Sequence, residues 1–129
     1  MNKYCLGFVF SVDQERVLLL SKRSSDTFNP NLWNGLGGHV EKGETPLQAM
    51  VRECMEEASL RVDEHCWEHV GMMSDYDLFH VDVFACVARI DAATQSTDEV
   101  IQAFTRDQVK NLPLADGVRE TLLPWIEGG

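Results

Sequence analysis

The chain reads as an α+β sandwich. Strand-like apolar runs lie on both sides of one strongly signalled helix, and a second helix signal closes the sequence. The 129 residues suit a single domain, residues 1–129, with its own core. Tyr4 to Phe10 and Arg16 to Leu20 are strand-like, joined by a turn over Val12 to Glu15. Ser24 to Asn31, rich in Ser, Asn and Pro, is a loop. Leu32 to His39 is a short strand pair broken by glycines. Thr45 then opens a helix as N-cap, with Pro46 at the first helical position and Gln48 closing a capping box. Nothing breaks that helix before Ala58.

Trp67 to Met73 and Phe79 to Ile90 are strands again. In the latter, Phe79, Val81 and Val83 alternate with His80 and Asp82. A polar loop from Asp91 to Asp98 leads into a last strand, Val100 to Phe104. Thr105 to Gln108 repeats the capping-box spacing and opens a short helical turn. Ala115 to Ile126 is a C-terminal helix that Pro124 ends or kinks.

The chemistry concentrates on the first helix. At about 100° per residue, Glu53, Glu56 and Glu57 fall within one arc, while Leu47, Val51, Cys54 and Ala58 cluster on another. Arg52 stands four residues before Glu56 and can pair with it. Carboxylates gathered on one face repel one another, and hard divalent cations are the natural use for such a set. Gly35, Gly37, Gly38 and Gly43 precede the helix, a density that suits close approach of backbone to a ligand. Glu41 and Glu44 enter the same turn.

These residues carry a resemblance to the Nudix hydrolases, whose box reads G-x5-E-x7-R-E-U-x-E-E-x-G-U, with U aliphatic. Gly38, Glu44, Arg52, Glu53, Glu56, Glu57 and Leu60 fall on it. Cys54 takes the first U position and Ser59 the late glycine. The resemblance implies an α/β/α sandwich with a mixed, curved sheet, one box helix and a C-terminal helix. It also implies water attack on a phosphorus atom of a nucleoside diphosphate-linked substrate, with Mg²⁺ as cofactor and Mn²⁺ as a substitute. By the same likeness Glu56 and Glu57 are the main metal ligands, helped by the carbonyl of Gly37 or Gly38. Glu53 is a ligand or the base, Arg52 orients Glu53 or Glu56, and Glu44 supports the turn. A further acid from a late loop is expected at Asp98-Glu99, with Glu99 preferred.

Trp33-Asn34-Gly35-Leu36-Gly37-Gly38 and Arg16 to Arg23 resemble the branch that hydrolyses oxidised purine nucleoside triphosphates. On that likeness Asn34 contacts the base edge, and Asp116 is the one acid available for a second base contact. Lys22 and Arg23 can meet a phosphate at the end of the second strand, and Phe8 is a candidate for lining the base pocket. ADP-ribose, a nucleotide sugar or a dinucleoside polyphosphate are the alternative substrates. A non-catalytic nucleotide-binding module on the same fold is a third reading, set against the presence of every charged box position.

Composition bounds the partners. A net charge of −10, from 21 acids against 11 bases, repels a nucleic-acid polymer yet tolerates a small phosphorylated substrate accompanied by metal ions. No long apolar run suggests a membrane span, and no targeting segment is recognisable. Cys5, Cys54, Cys66 and Cys86 lack paired spacing, which predicts free thiols in a reducing, cytoplasmic compartment. A monomer or homodimer is expected. His39, His65, His69 and His80 form no ligand pattern, although His39 lies inside the box.

Overall fold

The computed structural model describes residues 2–22, 31–75, 78–92 and 99–128. It contains strands β1 (Asn2–Phe10), β2 (Arg16–Lys22), β3 (Trp33–Asn34) and β4 (Leu36–His39), then helix α1 (Pro46–Ala58). After a 3-10 turn at Glu64–Cys66 come β5 (Glu68–Asp75) and β6 (Phe79–Val87), and after a second at Ile90–Ala92 come β7 (Glu99–Thr105), α2 (Arg106–Lys110) and α3 (Val118–Glu127). The strands make one mixed sheet in the order β3-β2-β1-β6-β5, with β4 paired to β1 and β7 to β2. β1 and β6 run parallel, with Asn2 opposite Phe79 and Phe10 opposite Val87.

β1 and β2 are buried on both faces, which is why their apolar runs do not alternate with polar residues. Cys5, Val9, Leu18 and Leu20 face the cluster under α1. Leu6, Phe8, Val17 and Leu19 face a second cluster with Trp33, Phe104 and the α3 residues Val118, Leu122 and Ile126. The helices α1 and α3 therefore sandwich the sheet. Gly7 lets α1 come close: a Cβ there would lie 2.6 Å from the Met50 sulfur.

The start of α1 follows its sequence signals. Thr45 Oγ1 accepts the Gln48 N–H at 3.1 Å, and the Gln48 side chain accepts the Thr45 N–H at 2.9 Å. The helix ends at Ser59 in the left-handed region, φ 57°. Its buried face differs from the expected one. Cys54 and Ala58 are fully buried, but Ala49 and Met50 complete the face, while Leu47 and Val51 pack only partly.

Several strand ends shift by one or two residues, and two boundaries move by three. β6 stops at Val87 rather than Ile90, because its partner β1 ends at Phe10 and the Ala88 N–H bonds the Phe10 carbonyl. α3 begins at Val118, not Ala115. The Pro113 carbonyl accepts the Trp33 N–H at 2.9 Å and the Ala115 N–H donates to the Trp33 carbonyl at 2.8 Å, so this segment is engaged as a strand-like bridge beside β3. Gly117, at φ 86°, then turns the chain into the helix. Pro124 does not end α3; it sits on the exposed side of a helix that runs on to Glu127.

Candidate active site

β1, β4 and α1 meet where β4 turns into α1. The Gly37 N–H donates to Glu57 Oε1 at 2.7 Å. At Gly37 the backbone has φ 152°, and a Cβ would lie 2.0 Å from the Cys5 carbonyl oxygen, so only glycine fits. Gly38 lies against Glu53, where a Cβ would come within 2.8 Å of Oε1. The turn and the helix face are thus in direct contact.

Arg52 is the hub of the acids. Its Nε and Nη2 form a fork on Glu44 at 2.8 and 3.1 Å, and Nη1 reaches Glu53 at 2.8 Å and Glu56 at 3.2 Å. Nη2 also donates to the His39 carbonyl at 2.9 Å. The expected pair with Glu56 is present, but Glu44 is the principal partner. Glu44 itself accepts the Glu41 N–H at 2.9 Å, so it braces the turn and the guanidinium together. That guanidinium holds the Glu44 carboxyl below its usual range.

The three helix glutamates have different surroundings. Glu56 is exposed, its side chain 57% accessible. Glu53 is largely covered at 15%. Glu57 is buried at 7%, in the middle of the helix face that Met50 and Cys54 share. Burial pushes its carboxyl up to about 8, and neighbouring Glu99 and Glu53 add to the rise against the Gly37 N–H and Lys22. The arc deduced from the sequence did not distinguish a buried acid from an exposed one.

Glu99, the first residue of β7, stands opposite Lys22 at the end of β2, with Lys22 Nζ 3.9 Å from Glu99 Oε1. Ile101 and Ala103, on the same face of β7, pack under α1, so Glu99 lies on the side of the sheet that carries Glu57. Among the described residues no three ligating side chains already converge on one point. They are engaged instead by Arg52, the Gly37 N–H and Lys22. Oxygen-only donors, mutual repulsion and a buried acid in need of a counter-charge fit a hard divalent cation.

Asn34 and Asp116 come from distant parts of the chain, and each flanks the bridge that sets Trp33 beside Leu114. Asn34 is half-buried, with its Oδ1 accepting the Gly35 N–H at 2.8 Å, and Asp116 is exposed. Trp33 is core, packed edge-on against Phe104 at 4.8 Å between ring centroids. Phe8 is corrected: at 1% exposure it belongs to the second cluster and presents no surface to a ligand. Arg23 and Asp98 lie outside the described residues. The pairing of β5 with β6 also brings His69 and His80 onto Asp82, at 2.8 and 3.3 Å, a link that spacing alone does not reveal. His39 packs against Tyr4 with ring centroids 4.4 Å apart and the rings tilted by 41°.

Comparison with known proteins decides the family. A profile described as the NUDIX domain matches residues 3–126. The chain belongs to the Nudix hydrolase family. This Nudix chain is 33% identical over 111 residues to the oxidized purine nucleoside triphosphate hydrolase of Mus musculus, covering 84% of this chain and 68% of the mouse protein. It is 43% identical over 58 residues to an m7GpppN-mRNA hydrolase of Xenopus laevis, but covers only 20% of that protein's length. To the dihydroneopterin triphosphate diphosphatase of Escherichia coli K12 it is 39% identical over 57 residues, covering 35% of that protein.

The fold superposes on a MutT structure from work on Aliivibrio salmonicida and Vibrio cholerae with a TM-score of 0.83, at 23% identity, covering 99% of this chain and 98% of the other. The Escherichia coli ORF135 protein gives 0.68 at 19% identity, covering 98% and 86%. The Nudix family is typically divalent-metal dependent, which agrees with the donor set at the β4–α1 turn. Among the described residues no helix is long and apolar enough to cross a membrane.

Proposed function

We propose that the protein is a Mg²⁺-dependent pyrophosphohydrolase that cleaves a nucleoside triphosphate to the monophosphate and pyrophosphate. The carrying observation is the buried Glu57, fixed by the Gly37 N–H and crowded by Glu53 and Glu99. Two of the relatives are named for triphosphate substrates, which supports a triphosphate here. Asn34 and Asp116, which flank the Trp33–Leu114 bridge, are assigned to the base. Asn34 offers both donor and acceptor, as a purine edge requires. The net charge of −10 favours this small substrate over a capped RNA.

Glu53, Glu56, Glu57, Glu99 and the Gly38 carbonyl would hold the ion, with Mn²⁺ an acceptable substitute. Bound there, Mg²⁺ supplies neutralising charge for the polyphosphate and eases deprotonation of water. Glu53, held by Arg52 Nη1, accepts the proton of the attacking water. Arg52 is a positioning residue: its fork on Glu44 fixes the angle at which Glu53 is presented. Lys22 faces the phosphates. The reading takes residues 1–129 as one domain acting in a reducing cytoplasm, where the four cysteines remain the free thiols seen here.

The test is turnover of common and oxidised nucleoside triphosphates, ADP-ribose and nucleotide sugars with Mg²⁺, with products separated by chromatography. Monophosphate plus pyrophosphate from a triphosphate is the expected outcome; turnover of ADP-ribose alone contradicts the assigned substrate. Glu53→Gln should lower kcat by roughly 10²–10⁴-fold. Glu56→Gln, at an exposed position, should remove turnover with an unchanged melting temperature.

A further inference from the structure

Lys22 and Glu99 face each other on the last rung of the β2–β7 pairing. Their separation of 3.9 Å is at the long end for an ion pair, and the Lys22 side chain is 46% accessible. Such a contact is weak and readily exchanged. By strand alternation Lys22 shares a face with Leu18 and Leu20, and Glu99 with Ile101 and Ala103, all packed under α1. The pair therefore lies on the side of the sheet that carries the buried Glu57, and Lys22 is not merely a solvated strand end. Among the described residues Arg52 is also a cation of the cluster, and it is tied to Glu44, Glu53, Glu56 and the His39 carbonyl. It cannot leave without dismantling the turn. Lys22 can.

We propose that Lys22 and Glu99 form an exchangeable pair that couples metal entry to phosphate binding. Without a divalent ion, Lys22 supplies the cluster's counter-charge from across the strand. With one, Glu99 turns from Lys22 to the ion, and the released ammonium is free for a substrate phosphate. The inference rests on the metal assignment above and adds a role for this particular pair. A divalent ion and the ammonium compete for the same carboxylates, whereas the ion and the phosphate assist each other through Lys22. The signs of these two couplings are opposite, which makes them separable by experiment.

The measurement is calorimetric binding of Mn²⁺, and separately of an α,β-methylene nucleoside triphosphate, to the native chain, Lys22→Met, Glu99→Gln and the double variant. Melting curves check that each is folded. Lys22→Met should bind Mn²⁺ about two- to fivefold more tightly, the scale of one exposed ion pair, while its affinity for the analogue with metal present falls. Glu99→Gln should weaken Mn²⁺ binding and strengthen metal-free binding of the analogue. In the double variant the gain in Mn²⁺ affinity from losing Lys22 should shrink. Unchanged or weaker Mn²⁺ binding in Lys22→Met overturns the exchange. If the native chain itself binds no Mn²⁺, the metal assignment fails and the exchange fails with it.

Discussion

Ser59 closes α1 at φ 57° without being a glycine. A side chain in that conformation costs about 1 kcal/mol, so Ser59→Gly should raise the unfolding free energy by about that amount and leave kcat unchanged. Denaturant melts and initial rates decide both halves. A second local cost lies at Ser21, fully buried on β2 with no hydrogen-bond partner for its Oγ among the described residues. Removing an unsatisfied buried hydroxyl relieves its desolvation, so Ser21→Ala should be neutral to stabilising by about 1 kcal/mol. The strain at Ser59 was legible in the sequence because the box demands a glycine there. Ser21 was not, since strand burial on both faces depends on which elements cover the sheet. Glu57 shows the same limit: helix periodicity places it among acids, and only the packing of Met50 and Cys54 shows that it is interior.

Local hydrogen bonding made some elements readable in advance. Both capping boxes, at Thr45 and Thr105, form as their residue types require. The onset of α3 was not readable, because residues that could be helical are claimed by the edge of Trp33, 81 positions earlier in the chain, at the bridge to Leu114. The base assignments at Asn34 and Asp116 depend on that same long-range bridge. A clasp fastens the far side of the fold. Arg106 donates to the Trp125 carbonyl at 2.7 Å, lies 4.8 Å from its ring centroid, and reaches Glu15 at 2.9 Å. The Trp125 indole N–H donates to the Gln14 carbonyl at 2.7 Å. The β1–β2 turn, α2 and α3 are thereby linked. Arg106→Ala should cost roughly 1–3 kcal/mol in denaturant melts, as loss of charged hydrogen bonds does, without changing the Kd for Mn²⁺. A weakened Kd would mean that the clasp and the acid cluster are coupled.

For the molecule as a whole, the acid cluster should impose an uncommon pH dependence on the metal-free fold. Glu57 has a folded-state pKa raised from 4.5 to about 8. Between those values the folded chain holds a proton that the unfolded chain has released, so this group's contribution to stability falls as pH rises through the window. Metal-free melts in chelator should show Glu57→Gln flattening that decline, while a saturating divalent ion, which binds the ionised carboxylate, should oppose it. Glu44 acts in the other direction: its lowered pKa gives stability that is present above 4.5 and lost as pH falls. No change in the pH dependence on Glu57→Gln would remove Glu57 from this account. The α+β architecture was legible as a whole because alternating and continuous apolar runs register how many faces of each strand are covered.

The parallel pairing of β1 with β6 has a consequence for synthesis. Tyr4 to Phe10 leaves the ribosome before the strand that completes its hydrogen bonding on that side, which emerges only after α1 and β5. Until then an apolar, β-prone segment is short of its central partner and is a candidate for chaperone capture or for pairing with another nascent chain. Joining these two strands also requires closing a long loop of chain, which places the slow step of refolding at the middle of the sheet.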